Sequence, residues 1–323
     1  MRLIKAALEP AALALSSLLL FNSFAHAAVT GSGNAKVVPA SKVQPQVTPA
    51  TPLAATRAKA SRPRADRPDV RSSSVLVIDA GDSAVLFSRH ANVAAPIASI
   101  TKLMTALVVL DDGQPLDEML AITQDDRVNG KGAASRLAVG TKLSRGDLLH
   151  IALMSSDNRA AHAIGRNYPG GVPAFVRAMN AKAQALGMTS ARFVDPTGLS
   201  GRNVASAEDL CRLVTAAARN PTVRKYSTDH EYSVAVGRRM IEFRNTNTLV
   251  AKADWNILVQ KTGYTEEAGR CLVMKTVIRD RAVVIVLLDS FGKYTRVADA
   301  RRIRKWLEAR QSDRETPAVA DRV

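Results

Sequence analysis

Three short strings hold residue types that could do chemistry together: Ser99-Ile100-Thr101-Lys102, Ser156-Asp157-Asn158 and Lys261-Thr262-Gly263. Ser99 and Lys102 have helical i, i+3 spacing, which stacks both side chains on one face and lets the amine reach the hydroxyl. A free serine hydroxyl is a weak nucleophile near neutral pH and needs a base beside it. Lysine serves as that base only when its amine is neutral, a state favoured by burial in an apolar helix and by a second cation nearby. Lys261 is the expected second cation. A helix starting at Ser99 also offers backbone N–H groups and a positive dipole end to a developing oxyanion.

Ser156 and Asn158 follow the apolar segment Leu148 to Met154 at a turn, where a hydroxyl and an amide can relay a proton and orient a substrate amide. Lys261-Thr262-Gly263 closes a strand-like run, so its backbone can pair with an extended peptide. Lys261 and Thr262 can hold a carboxylate, and Gly263 allows close approach of the chains. Each string alone is weak, because a Ser-x-x-Lys on a buried helix is more often packing than a site. All three in this order, with 57 and 105 residues between first positions, make a specific signature.

The elements that must position these residues can be read from period and punctuation. Val75 to Asp79 and Ala84 to Ser88 form a predicted hairpin around Ala80-Gly81-Asp82-Ser83. Ser99 to Leu110 has little polar surface and is expected to be a buried helix. Capping boxes at Ser144-x-x-Asp147 and Ser206-x-x-Asp209 predict two more helices, and a helix from Pro173 ends at Gly187. Tyr232 to Val236, Ile257 to Gln260, Cys271 to Ile278 and Ala282 to Asp289 are predicted strands, the last two joined by Arg279-Asp280-Arg281. A final helix places Val297, Ala300, Ile303, Trp306 and Leu307 on one side. Strands at both ends with helices between them predict an α+β fold: an antiparallel sheet flanked by helices, with an inserted helical subdomain.

Composition narrows the function. The chain has 323 residues and 46% hydrophobic content, enough for a sizeable core. Its 45 Lys+Arg against 29 Asp+Glu give a net charge of +16, but the basic residues are interleaved with acids, and aromatic content is only 4%. That pattern speaks against nucleic acid as a partner. Arg2 and Lys5 ahead of the apolar run Ala11 to Phe24, ending at Ala25-His26-Ala27, predict a cleaved signal peptide over 1–27. Residues 28–72 have the composition of a disordered basic Pro/Ala-rich linker, 73–310 of a catalytic domain and 311–323 of a polar tail. Export to the periplasm, with at most peripheral membrane contact, is the expectation. His90, His150, His162 and His230 lack metal-ligand spacing, and Cys211 and Cys271 are too few for a thiolate cluster. No metal and no other cofactor is expected.

Pro96-Ile97-Ala98-Ser99-Ile100-Thr101-Lys102-Leu103-Met104-Thr105 resembles the active-serine segment of the low-molecular-weight penicillin-binding proteins, the D-alanyl-D-alanine peptidases of DD-peptidase/β-lactamase-like fold. Phe193 to Leu199 and Asn245-Thr246-Asn247-x-Leu249 resemble two further family segments, and the stretch from Lys261 through Leu272 to Phe291-Gly292-Lys293-Tyr294 is similar to the endopeptidase branch. The resemblance spans about residues 73 to 309. It implies that Ser99 is acylated, Lys102 is its base, Ser156 and Asn158 are the second element, and Lys261, Thr262 and Gly263 are the clamp. The N–H groups of Ser99 and Tyr264 would form the oxyanion hole. Peptidoglycan stem peptides would be the substrate and β-lactam antibiotics covalent inhibitors. No Glu-x-x-Leu-Asn string lies between Asn158 and Lys261, against a fast β-lactamase. Carboxypeptidase relatives carry Arg where Thr246 stands and continue into a second β-domain, whereas only Gln311 to Val323 follows here. The resemblance therefore favours an endopeptidase acting on cross-links between D-alanine and a diamino acid. The alternatives are a carboxypeptidase and a non-catalytic peptidoglycan-binding scaffold.

Overall fold

The computed structural model describes residues 66–127 and 135–315, with side chains through residue 311. The expected signal peptide, the linker up to residue 65 and the last eight residues lie outside the described residues. A five-stranded sheet forms the frame, in the order β2-β1-β11-β10-β9. Its strands are β1 (Ser72–Asp79), β2 (Val85–Arg89), β9 (Asn256–Thr265), β10 (Gly269–Ile278) and β11 (Arg281–Ser290), and every neighbouring pair is antiparallel. The N-terminal hairpin is thus completed by the last three strands, as the order of strand and helix signals predicts.

Alternation along these strands supplies two cores. Leu76, Val273, Val284, Val286 and Leu288 face the helices of the insertion, while Val75, Val77, Leu272, Met274, Ile285 and Leu287 face the last helix. Buried on both faces, β11 reads as a continuous apolar run. The hairpin into it turns on Arg279 and Asp280, both at positive φ, the geometry of the two-residue turns that match strand twist.

The insertion holds α1 (Thr101–Asp111), α2 (Arg145–Met154), α3 (Asn158–Arg166), α4 (Gly171–Ala185), α5 (Ala207–Ala217) and α6 (Pro221–Thr228). Short two-stranded pairs stitch it together: β3 (Ala95–Pro96) with β6 (Val204–Ala205), β4 (Met119–Ala121) with β5 (Lys142–Ser144), and β7 (Glu231–Val236) with β8 (Arg239–Arg244). Every residue of α1 from Thr101 to Val109 is buried, which is why its sequence lacks a polar stripe. Ser144 and Ser206 both close full capping boxes, with Asp147 and Asp209.

Several boundaries differ from the reading of the sequence. The expected helix from Ser99 begins instead as a 3-10 turn over Ala98–Ile100, with α1 following at Thr101. α4 starts at Gly171, with Pro173 inside its first turn. Several elements carried no expectation, among them α3; α6, capped by the Asn220 side chain on the amides of Thr222 and Val223; and β8, whose apolar Ile241 and Phe243 alternate with charged residues. Residues 66–72, assigned to the linker by composition, pack against the body: Val70 is buried, and Trp306 Nε1 donates to the Asp66 carbonyl at 3.3 Å. The final helix α7 (Thr295–Glu315) runs past residue 310 into the expected tail.

Asp299 of α7 staples the first strand to the last helix. Its fully buried carboxylate accepts from the Arg71 amide at 2.9 Å, the Ser72 amide at 2.8 Å and the Ser72 hydroxyl at 2.7 Å. Asp299→Ala strands these donors, at about 1 kcal/mol each. The variant should lose about 3 kcal/mol and melt roughly 6–12 °C below wild type in a calorimetric scan; an unchanged midpoint would show the staple to be idle.

Candidate active site

Lys102 lies in the first turn of α1 with no exposed surface. Its Nζ is 2.8 Å from Ser99 Oγ, 2.7 Å from Asn158 Oδ1 and 2.7 Å from the Thr197 carbonyl oxygen. The last two atoms can only accept, so they fix two N–H bonds of the amine. In the neutral form the third direction is a lone pair aimed at the Ser99 hydroxyl. Burial brings the Lys102 pKa down to about 7, while the carboxylates of Asp195 and Asp157 act the other way. The leading cause is thus burial, and the expected repulsion between two lysines is felt at Lys261.

The Ser156-Asp157-Asn158 string divides its work by geometry. Ser156 sits at positive φ between α2 and α3, and its Oγ accepts from Lys261 Nζ at 3.0 Å. Asp157 caps α3 through the Ala160 amide at 3.0 Å, and Asn158, the first residue of that helix, turns its amide oxygen to Lys102. Lys261 is also fully buried and donates to the Thr262 carbonyl at 2.9 Å. Burial holds its pKa well below the usual lysine value, with Lys102 and Arg296 adding repulsion.

β9 is the sheet edge that approaches the Ser99 turn. A Cβ on Gly263 would lie 2.8 Å from the Ile97 carbonyl oxygen and 3.2 Å from the Ser99 amide nitrogen. Only glycine lets the strand and the turn meet without a shift. Thr262 Oγ1 is 2.6 Å from Thr246 Oγ1, which places Thr246 beside the clamp. Thr246 is held by its own amide on the Met154 carbonyl at 3.1 Å, and neighbouring Asn245 donates to the carbonyls of Ser227 and Asp229. Tyr264, the next residue along β9, is 45% exposed, in contrast to the three buried residues before it.

The structure thus brings together Ser99, Lys102, Ser156, Asn158, Lys261, Thr262 and Gly263, with Tyr264 at the end of the group. Three further contributors were missed. Thr197 gives Lys102 its carbonyl because Asp195 gathers the Thr197 amide, Thr197 hydroxyl and Gly198 amide at 2.6–2.8 Å. The Asp-x-Thr-Gly pattern is a readable turn signal. Asn203 is fully buried and ties that turn to α1 by donating to Thr101 Oγ1 at 3.1 Å and to the Asp195 carbonyl at 2.9 Å. Arg296 Nη1, from α7, donates to the Gly263 carbonyl at 3.0 Å, and no local motif signals this contact. A cavity of about 680 Å³ lies elsewhere, between the β1–β2 hairpin and α5, and includes none of these residues.

Chemically, this is a serine with an amine in contact, a second buried lysine that donates to the Ser156 hydroxyl, and an edge strand alongside. Such a set suits acyl transfer from an extended, anionic substrate. Reaction of Ser99 with an activated ester should rise about tenfold per pH unit below 7 and level off above, since only the unprotonated amine accepts the serine proton. A rate flat from pH 5 to 9 would exclude Lys102 as the base. Gly263→Ala should slow the same reaction at least tenfold by pushing on the Ser99 amide; equal rates would show that the close approach is not needed.

A sequence profile of the D-alanyl-D-alanine carboxypeptidase family matches residues 59–292. The chain is 52% identical over 245 residues to a D-alanyl-D-alanine endopeptidase of Pseudomonas aeruginosa, covering 75% of this chain and 79% of that one. It is 47% identical over 246 residues to a D-alanyl-D-alanine endopeptidase of Escherichia coli, covering 76% and 79%. Among solved structures, the DD-transpeptidase of Streptomyces K15 superposes with a TM-score of 0.70 at 27% identity, over 75% of this chain and 99% of that one.

Proposed function

The chain belongs to the D-alanyl-D-alanine carboxypeptidase family of serine peptidases, and on that premise we propose that it is an endopeptidase hydrolysing cross-links between D-alanine and a diamino acid in peptidoglycan. The observation that carries the mechanism is the 2.8 Å contact between Lys102 Nζ and Ser99 Oγ at a buried amine whose pKa is about 7. Neutral Lys102 takes the Ser99 proton as Oγ attacks the D-alanine carbonyl. The N–H groups of Ser99 and Tyr264 receive the oxyanion. Collapse breaks the C–N bond, and the proton on Lys102 returns through Ser156 to the departing amine. Water then attacks the acyl-enzyme, with Lys102 again as base, and frees Ser99. Lys261 and Thr262 hold the carboxylate next to the scissile bond, and Gly263 keeps the edge strand against the serine.

Two observations favour cross-links over terminal D-alanine. Both relatives near half identity are named endopeptidases. Thr246 shares a hydrogen bond with the clamp threonine, so a short side chain stands beside the clamp where many carboxypeptidase relatives carry Arg, and it would leave more space there for a second peptide. A non-catalytic scaffold is disfavoured by the buried lysine pair, whose desolvation a mere binding surface does not require. Periplasmic location, after removal of residues 1–27, belongs to the same reading. Among the described residues no helix is long and apolar enough to cross a membrane.

Benzylpenicillin should leave a persistent covalent adduct on Ser99, read by mass spectrometry of the intact protein; no adduct, or rapid drug turnover, contradicts the reading. Lys102→Ala should lower that acylation by about 10²–10⁴-fold. Purified protein should convert cross-linked dimeric muropeptides to monomers faster than it releases D-alanine from monomeric pentapeptide. Chromatography showing the reverse order would make it a carboxypeptidase.

A further inference from the structure

The positive charges of the site do not stop at Lys261. Arg270 lies across from Tyr264 in the β9–β10 ladder, and its guanidinium carbon is 4.3 Å from the centroid of the Tyr264 ring. Arg270 lies close enough to Arg296 to depress that guanidinium, whose leading cause of depression is burial. Arg296 in turn acts on Lys261, as Lys102 does. Lys102, Lys261, Arg296 and Arg270 thus form a continuous series in which each cation repels the next. Asp195 and Asp157 act at the Lys102 end of it.

Other part-buried arginines in the protein have carboxylate partners: Arg145 with Glu118, Arg166 with Asp126 and Arg302 with Asp299. Among the described residues no carboxylate forms an ion pair with Arg270 or Arg296, and Arg296 Nε is buried without a hydrogen-bond partner. Adjacent cations lacking counter-ions are unfavourable in the empty protein and become favourable when an anion arrives. A guanidinium stacked on an aromatic face keeps its N–H edge free and pre-oriented for a carboxylate.

The direction of the substrate fixes which anion this is. With the leaving residue's carboxylate at Lys261 and Thr262 and the scissile carbonyl at Ser99, a peptide along β9 must send its upstream residues toward Tyr264. One residue advances about 3.3 Å along an extended chain, so the residue preceding the scissile D-alanine comes alongside the Tyr264–Arg270 pair. We propose that Tyr264 and Arg270 form a subsite for a free side-chain carboxylate on that preceding residue of the acyl-donor peptide. Arg270 supplies the charged fork, and Tyr264 holds it in place. This inference rests on the peptidase reading and adds to it a preference for acidic over amidated stem peptides.

The test uses the full chain and two acyl-D-alanyl-D-thiolactate substrates. They are identical except that the residue before D-alanine bears a side-chain carboxylate in one and the primary amide in the other; thiol release is followed optically. Wild-type kcat/KM should favour the carboxylate by about tenfold, the size of one charge-assisted hydrogen bond. The ratio should fall to near one in Arg270→Gln and be partly kept in Arg270→Lys. A wild-type ratio near one overturns the subsite even if a variant fails to fold, and so does a ratio that survives Arg270→Gln. Benzylpenicillin labelling of Ser99 on the same preparations separates the two levels. Labelled wild type without carboxylate preference sinks the subsite alone, whereas unlabelled wild type sinks the peptidase reading and the subsite with it.

Discussion

A lysine amine with no exposed surface stands at the centre of this fold, and the surrounding elements are arranged around its needs. Burying an amine costs several kcal/mol unless its polar directions are met. Here the three partners come from three different places: the turn before α1, the first residue of α3, and the turn at Asp195–Ser200. Each has its own scaffold. Asp157 caps α3 so that Asn158 faces inward, and Asp195 folds its turn tightly enough to expose the Thr197 carbonyl. Asn203 binds that turn to α1 by donating to Thr101 and the Asp195 carbonyl. The site is rigid because each partner is anchored twice, once to the amine and once to its own element.

The turn that carries Ser99 is squeezed between two glycines. A Cβ on Gly198 would lie 2.0 Å from the Ala98 carbonyl oxygen, and one on Gly263 would strike the Ile97 carbonyl from the strand side. Ala98, between them, has φ of +47°, a left-handed conformation that costs a non-glycine residue about 1 kcal/mol or more. That strain sits directly before the serine and is held by packing on both sides. β9 carries this approach while serving as the free edge of the sheet. An open edge invites pairing with any extended chain, a hazard that charges along it reduce for wrong partners and that an anionic peptide converts into binding.

Much of this was legible in the sequence, and the failures share a cause. The five sheet strands, both Ser-x-x-Asp capping boxes and the three reactive strings are local patterns, with period or spacing inside a single element. β8 escaped because Arg239, Glu242 and Arg244 obscure the alternation of Ile241 and Phe243. Residues 66–72 look like linker by composition, yet Val70 is covered by α7, more than 200 positions away in the chain. Arg296 reaches the Gly263 carbonyl from another element 33 positions on, a contact that no motif encodes. The Lys102 environment was read correctly as apolar and burial is the leading cause of its lowered pKa, whereas the repulsion expected from the second lysine acts at Lys261. How completely the rest of the chain would cover α1 is a tertiary fact that helix periodicity cannot supply.

Net charge explains little of this chemistry, because the total of +16 is spread over the whole chain while the site depends on two amines in one apolar space. Their repulsion is mutual, so a proton on one opposes a proton on the other. Lys102 has Asp195 and Asp157 acting on it, and Lys261 has only cations. In the empty protein both amines are held below the usual lysine value, chiefly by burial. A carboxylate at Thr262 changes the balance, since it stabilises the ammonium form of Lys261, and a charged Lys261 then disfavours the proton on Lys102. The Ser156 hydroxyl accepts a hydrogen bond from Lys261. On the proposed reading, an anion at the clamp therefore favours positive charge on Lys261 and the neutral form of the amine beside Ser99, so that recognising the substrate also favours the state of Lys102 that accepts the serine proton.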